Sequence, residues 1–295
     1  MFITINGQLG SGKSAVCDIL ARQGYDIFST GRIQRDIARD KGLSTLELNR
    51  LCSNDYNYDY LIDGKSKQYA KDNADKDIIF DSRLAWHFIT PSFKVRLLVS
   101  PYVASLRVFA NRKAEEETFS SIEDAQAELD ARYEEEVSRY KTVYNVDVTD
   151  FSNYNLIIDT TTISPEKVAE LILSALDDYK NNPKLRRVYV SPSNIYPTLN
   201  VDTIRVAKVD YFIEQINCRC ALPKLEVLSF ANKLYIYTGH TLVVSANLAH
   251  LGYLEALIYS QDDTLPNGLT VGEYIKKSNA DLVSWQTMCG FNYKD

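Results

Sequence analysis

The chain begins MFITINGQLGSGKS, residues 1 to 14, and this stretch decides the fold. Apolar residues alternate over positions 2 to 5 and predict a short β-strand, which runs directly into GQLGSGKS at residues 7 to 14. The three glycines of that segment allow successive backbone N–H groups to face one anion, and a helix starting near Lys13 adds its positive dipole end. The pattern GxxxxGKS therefore predicts a strand, a phosphate-binding loop and a helix.

Lys13 and Ser14 carry the chemistry of this loop. In loops of this pattern the lysine reaches the β- and γ-phosphates of a nucleoside triphosphate, and the hydroxyl ligates Mg²⁺. We therefore expect ATP and Mg²⁺ as cofactors, with Lys13 catalytic and Ser14 the metal ligand. The alternative is a Gly/Ser-rich turn that matches by chance, and the strand before it and the helix after it argue against that. The residues expected at the triphosphate are Gly7, Leu9, Gly10, Ser11, Gly12, Lys13, Ser14 and Ala15.

Length and composition limit the classes of protein. With 295 residues, 45% hydrophobic and 24% charged, the chain is expected to form about two globular domains. No stretch approaches the roughly twenty apolar residues of a membrane span, and a strand at residue 2 leaves no room for a signal peptide, so we expect a cytoplasmic protein. A net charge of −6 argues against broad nucleic-acid binding, although a local basic pocket stays compatible with it. The five cysteines form no CxxC pair and are expected to be reduced.

Short apolar runs alternate with helical segments over the first part of the chain. This alternation predicts an α/β fold with a five-stranded parallel sheet. Residues 32–76 and 103–141 are expected to form helical excursions over the carboxyl edge of that sheet, and Ser164-Pro165 is expected to start the last helix. The predicted strands lie at residues 2–5, 25–28, 77–80, 95–99 and 156–158.

A polar segment with Asn-Asn-Pro, residues 177–187, breaks the periodicity and is expected to link two domains. The predicted domains are residues 1–180, which carry the phosphate-binding loop, and residues 187–295, which have a smaller α+β pattern. The second domain opens with the extended VYVSP and closes with a helical segment from Pro266. Its other predicted elements are a helix at 205–216, strands at 226–230 and 234–237, and a helix at 243–251.

Arginines stand where loops of a parallel sheet project from the carboxyl ends of its strands. Arginine binds phosphate oxygens in pairs and keeps its charge, so this cluster predicts a second anionic site beside the triphosphate. Arg132, Glu136 and Arg139 share one helical face, because their spacing is i, i+4, i+7. A solvated ladder of salt bridges is the alternative for that face. The five arginines are Arg35, Arg83, Arg112, Arg132 and Arg139.

Residues 1–178 resemble the cytidylate kinases, particularly the compact archaeal-type forms of this P-loop nucleoside monophosphate kinase family. The segments that carry the resemblance are GQLGSGKS at 7, STGRIQR at 29, DSRLAWHF at 81, RYEEEVSRY at 132 and SNYNLIIDTT at 152. The resemblance implies transfer of a phosphoryl group from ATP to CMP or dCMP. Two positions depart from the family, namely Arg32, where many relatives carry Asp, and Leu84, where the bacterial long form carries an acid that helps to read cytosine.

The resemblance also implies roles for single residues. The monophosphate would be bound by Ser29, Arg35, Asp81, Arg83, Arg132, Glu136 and Arg139, with Glu136 on a sugar hydroxyl. Arg112 would lie near the transferring phosphoryl group and Thr161 beside the donor adenine. The expected catalytic residues are thus Lys13, Arg112, Arg132 and Arg139. For Asp81, local hydrogen bonding at a strand end and the positioning of a metal or an arginine are both open.

Residues 187–262 resemble, more weakly, the ParB/sulfiredoxin-like domain. The resemblance is carried by VSPSNIYPT and by GHTLVVSANLAHLGYLEALI. It implies that the start of a helix at Gly239, His240 and Thr241 faces a phosphate. Thr241 and Leu242 replace the arginine pair of the partition proteins, and an exposed turn position is the alternative for His240. The ligand of this domain is left unassigned.

Three functions are open at this point. The leading one is an ATP- and Mg²⁺-dependent kinase for a pyrimidine nucleoside monophosphate, fused to an accessory ligand-binding domain. The second is a nucleotide-sensing regulatory protein whose second domain binds DNA or a protein partner. The third is a kinase for another small molecule. The arginines favour a phosphorylated acceptor, because an uncharged one would not need so many.

Overall fold

The chain folds into two compact units, and segments of the two units alternate along the sequence. The computed structural model describes residues 1–43, 47, 57–111, 119–231, 233–291 and 293. The first unit comprises residues 1–148, 153–156 and 164–185, and the second comprises residues 149–152, 157–163 and 186–295. Two short segments that precede the expected linker therefore belong to the second unit. Separate domains at residues 1–180 and 187–295 stay a prediction.

Strands and helices alternate through the first unit. Its elements are β1 (Phe2–Gly7), α1 (Lys13–Arg22), β2 (Asp26–Ser29), α2 (Thr30–Asp40), α3 (Asn57–Asp72), β3 (Ile78–Asp81), α4 (Ala85–Phe88), β4 (Phe93–Leu98), α5 (Pro101–Asn111), α6 (Ile122–Tyr144) and α7 (Pro165–Asn181). Strand β5 (Leu156–Asp159) begins in this unit and ends in the second. The predicted helix start is confirmed, because the Ser164 hydroxyl accepts the Lys167 N–H at the first turn of α7.

The strands of the first unit run parallel. Strand β1 pairs with β3 on one side and with β4 on the other, and β2 pairs with β3. The register sets Asp81 opposite Ile5 in β1 and opposite Ser29 in β2. Three carboxyl ends therefore meet at one edge, which confirms the α/β fold expected of this part.

Apolar side chains fix these strands against their helices. Ile78 and Phe80 of β3 are fully buried and pack with Ala85 and Ile89, while Phe28 closes the cluster from β2. A parallel sheet covered on both faces needs such apolar runs, because neither face of its strands meets water. This packing holds the ends of β2 and β3, and with them the polar side chains that follow, in fixed positions.

The second unit has a different architecture. Its elements are β6 (Arg187–Val190), α8 (Val206–Asn217), β7 (Leu225–Phe230), β8 (Lys233–Thr238), α9 (His240–Leu248), β9 (Leu254–Tyr259), α10 (Val271–Lys276) and α11 (Leu282–Cys289). Strands β6 and β9 pair antiparallel, as do β7 and β8, while β7 and β9 run parallel. The unit thus joins a mixed set of strands to helices, as its α+β pattern predicts.

The number of strands corrects one prediction. The described residues form a nine-stranded sheet in the order β2-β3-β1-β4-β5-β6-β9-β7-β8, so the prediction of a five-stranded sheet is wrong. That prediction assigned the later strands to a separate sheet. Strand β9 was missed altogether, because its six residues, LEALIY, follow α9 closely and so short an apolar segment fits a helix as well as a strand. Among the described helices, none is both long enough and apolar enough to cross a lipid bilayer.

Trp285 of α11 is the largest fully buried side chain of the second unit. Its indole N–H donates to the Leu199 carbonyl at 2.9 Å, and its ring lies 5.7 Å from the Phe291 ring and 6.0 Å from the His240 ring, centroid to centroid. A buried indole with a satisfied N–H contributes both apolar area and a hydrogen bond. Trp285 therefore ties the last helix to the core of its unit.

We expect Trp285→Ala to lower the free energy of unfolding of the second unit by about 3–5 kcal/mol, because it leaves a large cavity. Denaturant titration followed by circular dichroism measures this loss. Val283→Ala is the matched control, since that side chain is 67% exposed on the same helix and its loss should cost under about 0.5 kcal/mol. Equal losses for the two variants would contradict the assigned role of Trp285.

Candidate active site

The loop between β1 and α1 has the backbone that its glycines predict. Gly10 and Gly12 adopt left-handed conformations, with φ of +76° and +80°. A Cβ on Gly10 would lie 2.7 Å from the Ala104 Cα, so no larger residue fits there, whereas one on Gly12 would meet nothing within 4 Å. Helix α1 begins at Lys13, immediately after Gly12. The first-turn amides of α1 therefore adjoin open space in which an anion can be bound.

Asp81 connects this loop to the neighbouring strands. Its carboxylate forms an ion pair with the Lys13 ammonium through Oδ1 and accepts the Ser29 hydroxyl at 2.8 Å through Oδ2. The Asp81 side chain is only 8% exposed, so these contacts are little screened by water. The structure thus shows local hydrogen bonding at Asp81 together with an ion pair to Lys13, whereas the positioning of a metal or an arginine by Asp81 stays a prediction.

Ser29 and Arg35 approach each other at the start of α2. The Ser29 hydroxyl accepts the Arg32 N–H at 3.4 Å and so caps the helix. A Cβ on Gly31 would lie 3.7 Å from Arg35 Nη1 and 3.8 Å from Ser29 Oγ. The side chains of Arg35 and Ser29 therefore both lie next to Gly31. Arg35 itself is exposed. The expected monophosphate ligands of this segment therefore share one corner of the first unit.

A second group of charges faces Arg83. Its guanidinium forms an ion pair with Glu136 of α6. Desolvation lowers the pKa of Arg83, and the positive charges of Arg132 and Arg139 lower it further, while Tyr140 and Asp81 act in the opposite direction. Burial also lowers the pKa of Arg132. The predicted helical face is thus brought onto Arg83, and its members are close enough to act on one another electrostatically.

The remaining predicted ATP contacts have different surroundings. Leu9 packs against an apolar cluster that includes Val99 and Ala104, while Ser14 and Ala15 are exposed in the first turn of α1. Arg112 lies outside the described residues. Thr161 belongs to the second unit, where its N–H and its hydroxyl donate to the buried Asp159 carboxylate at 3.0 and 2.5 Å. Its role beside the donor adenine stays a prediction.

Sequence reasoning missed three side chains near the loop. Arg107 of α5 donates from Nη1 to the Gly10 carbonyl at 3.2 Å, and the Gln8 side chain accepts the Val99 N–H at 3.0 Å. No local pattern separates these two from ordinary surface residues. The third, Arg96, carries a signal that could have been read, since it is a charge inside the apolar strand FKVRLL of β4.

The phosphate site predicted in the second unit, at Gly239, His240 and Thr241, contains a buried histidine. Gly239 is left-handed, with φ of +97°, and precedes α9 directly. The His240 side chain is buried and its Nε2 accepts the Thr198 N–H at 3.2 Å, so the alternative of an exposed turn residue is wrong. Burial lowers the pKa of His240 to about 4, which keeps the imidazole neutral at neutral pH. Phosphate binding at Gly239, His240 and Thr241 stays a prediction, without a positive charge from the histidine.

We expect His240 to make the second unit sensitive to acid. The unfolded chain binds a proton near the ordinary pKa of 6.5, whereas the folded chain resists it down to about 4. The free energy of unfolding therefore falls as the pH drops through that window, by about 2 kcal/mol between pH 7 and pH 5. Denaturant titrations of the wild type and of His240→Gln at both values test this, since the variant lacks that contribution. The same pH dependence in both proteins would show that His240 does not cause it.

The first unit thus contains a parallel sheet, a glycine-rich loop, a helix, and a lysine beside a buried carboxylate at the carboxyl edge. This arrangement defines a P-loop kinase. Among the described residues, no group of three or more His, Cys, Asp and Glu side chains could enclose a metal ion.

Comparison with known proteins gives the family. Residues 2–162 match the cytidylate kinase-like family, so the chain belongs to that family, and it is a nucleoside monophosphate kinase. The cytidylate kinase of Natronomonas pharaonis is 38% identical over 180 residues, which cover 61% of this chain and 91% of that protein. The cytidylate kinase of Methanothrix thermoacetophila is 39% identical over 177 residues, or 60% of this chain and 98% of that protein. A solved deoxyadenosine kinase from M. mycoides is 19% identical with a TM-score of 0.35, covering 60% of this chain and 100% of its own.

Proposed function

We propose that the chain transfers the terminal phosphoryl group of ATP to a pyrimidine nucleoside monophosphate, with CMP or dCMP as the acceptor. The observation that carries this proposal is the contact of Asp81 with both Lys13 and Ser29. Lys13 belongs to the loop expected to bind the donor, and Ser29 lies in the segment expected to bind the acceptor. A single carboxylate therefore connects the groups that hold the two reactants in line.

On the donor side, the open space at Gly12 and the exposed hydroxyl of Ser14 fit a triphosphate with its Mg²⁺. Ser14 would ligate the metal, which when bound neutralises charge on the β- and γ-phosphates. Lys13 would add its positive charge at the same phosphates. Arg112 is proposed to stabilise the transferring group, and Thr161 to lie beside the adenine.

On the acceptor side, the cluster of arginines is the strongest support. Burial, and then the positive charges of Arg132 and Arg139, lower the pKa of Arg83, so an added anion beside these three side chains would be stabilised. Glu136 supplies one carboxylate, and a bound monophosphate would supply another anion. No strong base is required, since the acceptor phosphate oxygen is already nucleophilic and the reaction needs alignment and charge neutralisation. The proposed acceptor ligands are Ser29, Arg35, Asp81, Arg83, Arg132, Glu136 and Arg139.

For the second unit we propose an accessory ligand-binding domain of the ParB/sulfiredoxin-like type. The support is the resemblance of residues 187–262 together with the position of Gly239 at the start of α9. A Cβ on Gly239 would lie 2.7 Å from Leu225 Cδ1, so this turn requires glycine both for its positive φ and for its packing. A phosphate there would rely on backbone N–H groups of α9.

An assay of ADP release with a set of candidate acceptors tests the proposed reaction. Release of ADP is measured with CMP, dCMP, UMP, AMP and free serine, each tested separately with ATP and Mg²⁺. Turnover with CMP and dCMP alone is the expected result. If no acceptor stimulates turnover and the protein retains DNA at physiological salt, the chain is a nucleotide-sensing regulator instead. Turnover with free serine alone would assign it to another class of kinase.

We expect Lys13→Ala to keep the fold and to lower turnover by at least about a hundredfold, because it removes one preorganised charge at the phosphates. Lys65→Ala is the matched control, since it removes an exposed lysine of α3. Circular dichroism checks that both variants are folded, and the coupled assay with CMP gives their turnover. Near-normal turnover of Lys13→Ala would rule out the assigned role of the loop.

A further inference from the structure

Arg96 is a buried cation in the middle of a strand. It is 2% exposed, between Val95 and Leu97 of β4, which are both fully buried. Its register partner in β1 is Asn6, whose side-chain amide donates to the Tyr154 hydroxyl at 2.9 Å. One face of the sheet thus carries a polar group beneath α6, where an apolar side chain would cost less desolvation.

The partners of Arg96 do not satisfy its guanidinium. Nη2 donates to the Tyr133 hydroxyl at 3.4 Å, which is long for such a bond, and the ring of Tyr154 lies 5.9 Å from the guanidinium carbon. Within the residues that the structure describes, Nε has no hydrogen-bond partner and no carboxylate pairs with this side chain. A buried guanidinium in this condition is costly and gains from a ligand that accepts its hydrogen bonds.

Arg96 lines a small polar pocket at the carboxyl ends of β1 and β4. Gln8, Arg83, Tyr133 and Glu136 line the same pocket, and Glu136 is the residue that pairs with Arg83. Its enclosed volume is about 10 Å³, which is room for about one water. A nucleobase needs more room than this, so its entry would require the Glu136 side chain to leave Arg83. The pocket adjoins the proposed monophosphate ligands, so a base attached to that phosphate is the group within reach.

We propose that Arg96 reads the base of the acceptor nucleotide by donating from Nε and Nη2 to the O2 and N3 atoms of cytosine. This inference rests on the proposed function and names the residue that selects its substrate. The Nε–H and Nη2–H bonds form one parallel fork and can only donate. Cytosine presents two adjacent acceptors to that fork. Uracil has an N3–H donor where cytosine has its N3 acceptor. Adenine has an amino group, also a donor, next to its N1 acceptor. Either base would therefore leave one N–H donor of Arg96 without an acceptor.

The test compares Arg96→Met with Lys94→Met. Lys94 is the matched control, because it precedes Arg96 by two residues in β4, its ammonium lies 5.7 Å from the Trp86 ring, and it does not line the pocket. Values of kcat and KM are measured for CMP, UMP and AMP at saturating ATP, and KM is measured for ATP. Thermal unfolding checks that each variant is folded.

We expect Arg96→Met to raise KM for CMP by roughly 10- to 100-fold, the scale of one lost bidentate contact to a base. The preference for CMP over UMP should fall by the same factor, while KM for ATP stays within about twofold. Arg96→Lys keeps the charge without the fork and should lose the preference as well. An unchanged ratio of kcat/KM for CMP to kcat/KM for UMP in a folded Arg96→Met variant would overturn the inference. An equal loss of kcat/KM for every acceptor, with an equal rise in KM for ATP, would overturn it as well.

Calorimetric binding of CMP separates this inference from the proposed reaction. If the wild type binds CMP without phosphorylating it, and Arg96→Met loses that binding, the base contact stands and the proposed reaction falls. If the wild type phosphorylates CMP and Arg96→Met retains its affinity and preference, the reaction stands and the base contact falls. A wild type that neither binds nor phosphorylates CMP overturns both.

Discussion

The buried carboxylate of Asp81 is the interaction on which the site depends. It holds the Lys13 ammonium and the Ser29 hydroxyl at once, and the parallel register of β1, β2 and β3 puts all three groups at one edge. A carboxylate this far from water needs such partners, because a buried and unpaired charge is strongly destabilising. The charge extends further, since burial and then the negative charge of Asp81 raise the pKa of the Cys17 thiol in α1 to about 12. Cys17 is therefore a packing residue and not a nucleophile at this site.

Two arginines of the first unit, Arg83 and Arg96, have few anions beside them among the residues that the structure describes. In the described part of the chain, Arg83 pairs with Glu136 and faces two arginines of α6, while Arg96 contacts the Tyr133 hydroxyl and the Tyr154 ring. Such positions lower stability in the free protein and raise affinity for an acidic ligand. Phosphate at Arg83 and a base at Arg96 would each supply the acceptors that the protein does not.

The sequence predicts those structural features that depend on residues close together in the chain, and it does not predict contacts between distant residues. The loop from Gly7 to Ser14 and the helical face of Arg132, Glu136 and Arg139 follow from short patterns, and both are present in the structure. The pairing of Arg83 with Glu136 joins residues 53 positions apart, and no pattern within either segment shows it. The burial of His240 could not be predicted for the same reason, because Thr198, which binds it, lies 42 positions away. Strand β9 was missed because six residues are too few to distinguish the period of a strand from that of a helix.

The most direct test of this account is the kinetic effect of Asp81→Asn on both reactants. Because Asp81 contacts the lysine of the proposed donor loop and the serine of the proposed acceptor segment, KM for ATP and KM for CMP should both rise, each by about tenfold for one weakened charged contact. Asp77→Asn is the control, since that side chain is 71% exposed just before the same strand and should change neither value. A rise in only one KM, or no change in either, would contradict the claim that one carboxylate organises both halves of the site.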